Sequence, residues 1–134
     1  MTNQELQQKY LEYQLIARQL NMLNQQLELI NNKINELNVL VQSMDEINSL
    51  KKEHEILVPV GPGILVNASI KNTNDVLMNI GANIVVKKSV ANSKEIIEMQ
   101  IKELKQALDQ TEKEIIDLNT EIDSIKKDLS TSNE

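Results

Sequence analysis

The chain has 134 residues, a net charge of −6 at pH 7, and no cysteine, tryptophan or phenylalanine. Its length is that of one ordinary domain. The acidic balance argues against a nucleic-acid partner, because phosphates are bound by an excess of cationic side chains. Without cysteine, disulfides and thiolate metal sites are excluded. The polar first residues do not fit a signal peptide, and no apolar run approaches the roughly 18 residues of a membrane span. We therefore expect a cytoplasmic protein with neither nucleic acid nor membrane as partner.

The first third of the chain carries a heptad repeat, which predicts a coiled-coil helix over residues 1–54. Eleven of its twelve seam positions are apolar, with Lys9 as the exception. The seam positions are Leu6, Lys9, Tyr13, Ile16, Leu20, Leu23, Leu27, Ile30, Ile34, Leu37, Val41 and Met44. The basic run in Lys51–Glu55 is expected to close this helix, because cations suit the C-terminal end of the helix dipole.

The middle segment, residues 55–90, predicts four short strands arranged as two β-hairpins. The clusters Gly61–Gly63 and Gly81–Asn83 each separate two apolar runs by three residues, which suits hairpin turns with a residue at positive φ. The polar stretch Asn72–Asp75 is expected to link the two hairpins. Pro59 lacks an amide donor and should lie at an edge or a bulge.

Two hairpins alone cannot bury an apolar face, and their open edges invite strands from another chain. We therefore predict that this segment drives oligomerisation. The alternative is a small barrel that closes within one subunit. The predicted oligomerisation residues are Val58, Val60, Ile64, Val66, Ala68, Ile70, Val76, Met78, Ile80, Gly81 and Val86.

A second heptad repeat predicts a coiled-coil helix over residues 91–129, with Ser93 as its N-cap and residues 130–134 as a frayed tail. Nine of its ten seam positions are apolar, with Thr111 as the exception. These positions are Ile97, Ile101, Leu104, Leu108, Thr111, Ile115, Leu118, Ile122, Ile125 and Leu129. The predicted fold is mainly α: one domain, 1–134, in which an antiparallel two-helix coiled coil carries two central β-hairpins that join strands of other subunits.

Several apolar residues fall off the seam, among them Leu11 and Leu15 near the start of the chain. They are either ordinary surface leucines or a patch for binding other polypeptides at the free end of the coiled coil. Leu15 and Leu29 lie two heptads apart and hint at an apolar stripe along the helix, which Met22 extends only in part.

Residue patterns typical of catalysis are absent from the sequence. No glycine-rich phosphate loop precedes a helix, and His54 is the only histidine, so a histidine triad or a His-based metal site lacks partners. The acidic pairs of the second helix, such as Glu112 and Glu114, are typical of a solvated helix face. We expect no cofactor, no metal and no enzymatic activity.

The order of these elements resembles the α-type subunit of the archaeal prefoldin family over almost the whole chain. The resemblance is carried by VPVGPGILVNASI at residues 58–70 and DVLMNIGANIVVKKS at residues 75–89, each flanked by a heptad helix. Two hairpins, where the β type has one, mark the α type.

The resemblance implies an ATP-independent holdase chaperone. In this family two α and four β subunits join their hairpins into a double β-barrel hub, capture non-native polypeptides at the coiled-coil tips and pass them to a group II chaperonin. Carried onto this sequence, the tip residues are Leu6, Tyr10, Leu11, Tyr13, Leu15, Ile122, Ile125 and Leu129. Ile122 and Ile125 also belong to the seam, so they can contact a client only if the helix ends fray.

Two other functions fit the same pattern. The chain could be a coiled-coil scaffold or adaptor whose arm binds one folded partner through an apolar stripe. It could also be a prefoldin-like subunit of a different assembly, with the same fold but other clients.

Overall fold

The computed structural model describes residues 2–132, with side chains described for residues 2–131. The chain runs from a long helix through four strands into a second long helix. The elements are α1 (Asn3–Ser49), β1 (His54–Gly61), β2 (Ile64–Ile70), β3 (Asp75–Gly81), β4 (Ile84–Ser89) and α2 (Val90–Ser132). They form two compact units. The helical unit comprises residues 2–35 and 103–132, and the hairpin-bearing unit comprises residues 36–102. The predicted mainly α fold, two long helices that flank two β-hairpins, is confirmed.

The helical unit is held together by the predicted heptad seam. Ile16 of α1 packs with Ile122 and Ile125 of α2, and their exposed fractions are 6%, 6% and 4%. Burial of side chains of this size contributes about 1.5–3 kcal/mol each, which chain ordering largely offsets. Thr111, the polar exception, is also buried, and its hydroxyl donates to the Ala107 carbonyl at 2.8 Å. The buried hydroxyl of Thr111 therefore has a hydrogen-bond partner.

Helix α1 begins with a capping box. The Thr2 hydroxyl accepts a hydrogen bond from the amide of Glu5, and the Glu5 carboxylate accepts one from the amide of Thr2, both at 3.2 Å. This reciprocal pair satisfies two amides at the helix start. The T-x-x-E pattern was available in the sequence and was missed.

The predicted end of the first helix at residue 54 is wrong, whereas the predicted start of the second helix at residue 91 differs from the observed start by one residue. Helix α1 ends at Ser49, and the basic run beyond it forms a turn that leads into β1 at His54. Glu53 adopts positive φ (+66°), and its backbone amide donates a hydrogen bond to the Ile70 carbonyl. These two features make the basic run part of the hairpin. His54 is therefore an exposed strand residue.

Helix α2 begins at Val90, so Ser93 is not its N-cap. The cap is Ser89, whose hydroxyl accepts from the amide of Asn92 at 3.0 Å. Ser93 is instead fully buried one turn into the helix. At the other end, residues 130–132 continue the helix where a frayed tail was expected, and residues 133–134 of that tail lie outside the described residues.

The core of the hairpin-bearing unit lies where the two helices meet the strands. Val90 and Ile97 of α2 are each 3% exposed, and Leu37 and Met44 of α1 are also buried. Lys94 Nζ bonds Asp45 of α1 at 2.8 Å. That hydrogen bond, with the negative charge of Asp45 and more weakly that of Glu98, raises the pKa of Lys94 above its ordinary 10.5.

The strands form two separate antiparallel sheets of two strands each, β1 with β2 and β3 with β4. The predicted alternative of one barrel closed within the subunit is therefore wrong for the described chain. Each ladder shifts register next to its turn, between Pro59 and Gly61 and between Asn79 and Gly81. The expectation that Pro59 lies at an edge or a bulge is confirmed.

The hairpin turns use positive φ as predicted. Pro62 and Gly63 are the two loop residues of the first, and a glycine at φ +72° after a proline suits a type II turn. In the second, Ala82 (+50°) and Asn83 (+61°) are both positive, which fits the type I′ turn preferred by two-residue hairpins.

Candidate interaction surfaces

On each hairpin the half-buried apolar side chains all lie on one face, and the other face is open. In the first hairpin, Val58 pairs with Val66 and Ile56 with Ala68, which places these apolar side chains on one face as the alternation predicted. In the second, Met78 pairs with Val86 on the half-buried face.

The predicted oligomerisation residues divide by exposure. Val58, Ala68, Ile70, Val76, Met78 and Val86 are half-buried, whereas Val60, Ile64, Val66, Ile80 and Gly81 are exposed. Sequence reasoning missed five further exposed apolar residues on the strands; four lie on the face that it did not consider, whereas Ile84 alternates with Val86 on the face that it did consider. The five residues are Leu57, Leu65, Leu77, Ile84 and Val85.

The hairpins therefore combine two features of an incomplete structure. In the described chain each strand pairs with a single neighbour, so its other edge presents unpaired amides and carbonyls. Nine large apolar side chains of the strands are also exposed, with Leu77 the most open at 75%. Exposed apolar surface beside open strand edges is typical of a protein–protein interface.

A groove of about 450 Å³ lies beside β3 within the same unit. Its helical wall includes Leu40, Met44 and Ile47 of α1, and its strand wall includes Val76 and Met78. The groove is mainly apolar, so it extends the apolar surface of the second hairpin.

The predicted tip residues lie together in the helical unit, but they differ in accessibility. Tyr10 and Leu11 are exposed (58% and 60%), as is Leu15. Leu6, Tyr13 and Leu129 are half-buried. A shallow cavity of about 230 Å³ is lined by Leu6, Gln7, Tyr10 and Leu129.

Ile122 and Ile125 belong to the buried core with Ile16, so in this structure they are closed to any client. At this end of the helical unit, two contacts join α1 to α2 and a third lies within α1. Lys9 Nζ lies 3.3 Å from the Asp128 carboxylate. Lys126 Nζ lies 5.9 Å from the centre of the Tyr13 ring, and that ring lies 6.4 Å from the ring of Tyr10.

A second exposed apolar feature runs along α1. Leu15, Met22 and Leu29 are 60%, 68% and 70% exposed, and they are spaced by seven residues. We call these three residues the outer α1 stripe. A seven-residue spacing returns to one side of a helix, so Met22 belongs fully to the stripe, and the expectation that it extends the stripe only in part is wrong.

Within residues 2–132, no group of three or more acidic, histidine or cysteine side chains is placed to hold a metal ion. Nor does either described helix contain a segment long and apolar enough to cross a membrane.

Comparison with known proteins matches the same architecture. The model of the prefoldin subunit family covers residues 16–134. The chain belongs to the prefoldin family.

Two curated prefoldin relatives and one solved prefoldin structure are informative. Prefoldin subunit alpha of Pyrococcus horikoshii is 27% identical over 126 residues, covering 93% of this chain and 85% of the relative. Prefoldin subunit alpha of Thermococcus onnurineus is 36% identical over 69 residues, which is 51% of this chain and only about half (47%) of that relative. The resemblance to the α type is confirmed.

The cryo-EM structure of filamentous PFD from Methanocaldococcus jannaschii has a similar fold. The TM-score is 0.75 at 21% identity, and the match covers 86% of this chain and 95% of that one. At this identity the likeness supports the prefoldin fold of two helices and two hairpins.

Proposed function

We propose that this chain is a subunit of an ATP-independent holdase chaperone. The observation that carries the proposal is the exposed apolar pair Tyr10 and Leu11, near the end of a helical unit that has its own buried core. A holdase requires accessible apolar side chains for non-native polypeptides, and it needs no catalytic group. This reading of the prefoldin family as chaperones, not enzymes, agrees with the surfaces described above.

The hairpins support assembly with other prefoldin subunits. We propose β-type subunits as partners, in a hexamer of two α and four β chains whose strands complete one another's open edges. Joining several tips in one particle raises the avidity for a client without a tight individual site. The proposed client sites are Leu6, Tyr10, Leu11, Tyr13, Leu15 and Leu129, with Ile122 and Ile125 available only after local opening, and the proposed recipient of the client is a group II chaperonin.

Light scattering tests the proposal. A chemically denatured client is diluted into the assembled complex without ATP, and aggregation is expected to be suppressed at near-stoichiometric complex. Tyr10→Gln with Leu11→Gln should abolish the protection while leaving assembly unchanged. The control is Met99→Gln, because Met99 is equally exposed (64%) but lies in the hairpin-bearing unit. Unaltered aggregation with a verified complex would refute the holdase function.

A second candidate is a prefoldin-like subunit of a different assembly. It is favoured by the open edges of both hairpins, and by the similar fold of a protein whose structure is described as filamentous. Sedimentation of the purified chain without any partner subunit separates the two. Large assemblies that form from this chain alone would favour the second candidate, and a requirement for β-type subunits would favour the first.

A further inference from the structure

The helical unit has two chemically different outer surfaces. Residues 3–35 of α1 carry six charged side chains and thirteen asparagines or glutamines. Residues 103–132 of α2 carry twelve charged side chains and three asparagines or glutamines. A partner that buries apolar surface on α1 therefore desolvates few ions, whereas one that covers α2 has many ions to desolvate.

The outer α1 stripe borders a groove between the two helices. The groove measures about 400 Å³, and its apolar lining is Met22, Leu23 and Leu118. Gln19 and Gln26 lie on its α1 side, and Glu114 and Asp117 lie on its α2 side. The groove therefore has an apolar floor, an uncharged rim on the α1 side and an acidic rim on the α2 side.

The acidic rim continues along α2. Glu103, Glu114, Asp117 and Glu121 are spaced by combinations of three, four and seven residues, which keeps them on one side of the helix. The four lysines of residues 103–132 occupy other heptad positions. They are Lys105, Lys113, Lys126 and Lys127. The α2 positions that flank the groove thus carry acidic charge without basic residues among them.

We propose that this groove and the outer α1 stripe dock an amphipathic helix with basic residues along one flank. Leu15, Met22 and Leu29 repeat every seven residues, which matches the apolar repeat of a helix that packs alongside α1. The acidic rim is complementary to lysine or arginine at the positions beside that repeat. A second copy of this chain fits less well, because it would bring the same acidic side and a net charge of −6.

The docking site is separate from the proposed client sites in its decisive residues. Met22 and Leu29 belong to the stripe alone, whereas Tyr10 and Leu11 belong to the tip alone. Leu15 is common to both and is left unchanged in the tests. The two activities can therefore fail independently.

The experiment measures the binding of labelled synthetic peptides to the full chain by fluorescence anisotropy. One helical peptide carries a leucine heptad face with lysine along one flank, and the matched peptide has glutamate in place of every lysine. The lysine peptide is expected to bind, with an affinity that falls between about 0.05 M and about 0.3 M salt, because screening weakens charge pairing. The glutamate peptide is not expected to bind.

Variants test the stripe and the acidic rim separately. Met22→Gln with Leu29→Gln should weaken binding of the lysine peptide about tenfold or more, because the apolar anchors are lost. Glu114→Gln with Asp117→Asn should weaken it about threefold to tenfold and flatten the salt dependence. Ile116→Gln and Glu112→Gln are controls for apolarity and charge outside the groove, and they should leave binding unchanged.

Three results would overturn the proposal. Equal binding of both peptides would show that charge does not contribute to docking. Unchanged binding of the lysine peptide by the Met22→Gln, Leu29→Gln variant would show that the stripe does not contribute. Self-association of the chain that disappears in the Met22→Gln, Leu29→Gln variant would assign the surface to a second copy. Circular dichroism verifies folding, and Met22→Lys supplies an independent variant that should repel the basic flank.

Discussion

The seam of the helical unit and the strands of the hairpins are built from similar residues but end in opposite environments. Ile16, Ile122 and Ile125 are less than a tenth exposed, because α1 and α2 cover them within one chain. Leu77 and other apolar residues on the strands remain exposed, because each strand pairs with only one neighbour and each two-stranded sheet has two faces to cover. Apolar residues that a chain covers itself stabilise its fold, and those it leaves open are available to other chains.

The largest effect is expected from the seam. Ile125→Ala should lower the free energy of unfolding by about 2–4 kcal/mol, because it removes buried methyl groups and leaves a cavity. Ile116→Ala is the control, since Ile116 is 64% exposed, and its effect should stay within about 0.5 kcal/mol. Urea unfolding followed by circular dichroism measures both. Equal effects would mean that the seam is not the core.

The next effect tests the open strands. Leu77→Gln is expected to weaken assembly by about 1–2 kcal/mol, roughly five- to thirtyfold, because an apolar anchor of the interface is lost. Sedimentation of a dilution series with β-type subunits measures it. Met99→Gln should not change assembly. A hairpin variant that assembled normally but unfolded more easily would place Leu77 in the subunit's own fold.

A smaller effect concerns the core of the hairpin-bearing unit. The hydroxyl of Ser93 is fully buried and has no hydrogen-bond partner among the residues that the structure describes. Ser93→Ala should therefore raise the free energy of unfolding by about 1 kcal/mol. Ser93→Val should instead lower it by about 1–3 kcal/mol through overpacking. If alanine destabilised the protein, the hydroxyl would have a role that the packing does not reveal.

The smallest effect depends on pH. Because the pKa of Lys94 is raised in the folded chain, its bridge to Asp45 is fully present below the ordinary lysine pKa of 10.5. The contribution is lost as the pH rises through the higher folded pKa. Wild type and Lys94→Met should differ slightly near neutral pH and converge in strong alkali, measured by thermal unfolding. A difference that grew with pH would contradict this sign.

Much of the architecture could be predicted from local pattern. The heptads located both seams, the glycine and proline clusters located both hairpin turns, and the resemblance carried by residues 58–89 was confirmed. The errors lie at boundaries. The residue types around Lys51 are compatible with a continuing helix. Glu53 nevertheless adopts positive φ, and its amide donates a hydrogen bond to the carbonyl of Ile70 in the opposite strand of the hairpin. Ser89 and Ser93 are equally good caps by type, and the strand that precedes them decides between them.

The candidate surfaces were predicted less completely than the fold. Leu11 and Leu15 were correctly placed outside the seam, since a helix that uses one apolar side for its partner must expose the others. The open faces at Leu57 and Leu77 were missed, because alternation alone cannot tell which face a neighbouring element will cover.

The sequence by itself determined the elements, their order and the seam, because periods of seven and two are set by the geometry of helices and strands. Only the tertiary structure decided which apolar residues of the strands are covered. Val58 and Val66 are paired valines on one face of the first hairpin, yet Val58 is half-buried and Val66 is 43% exposed. Alternation gives both residues the same face, so the difference depends on which other segments lie over each residue, and the local pattern of the strands does not contain that information.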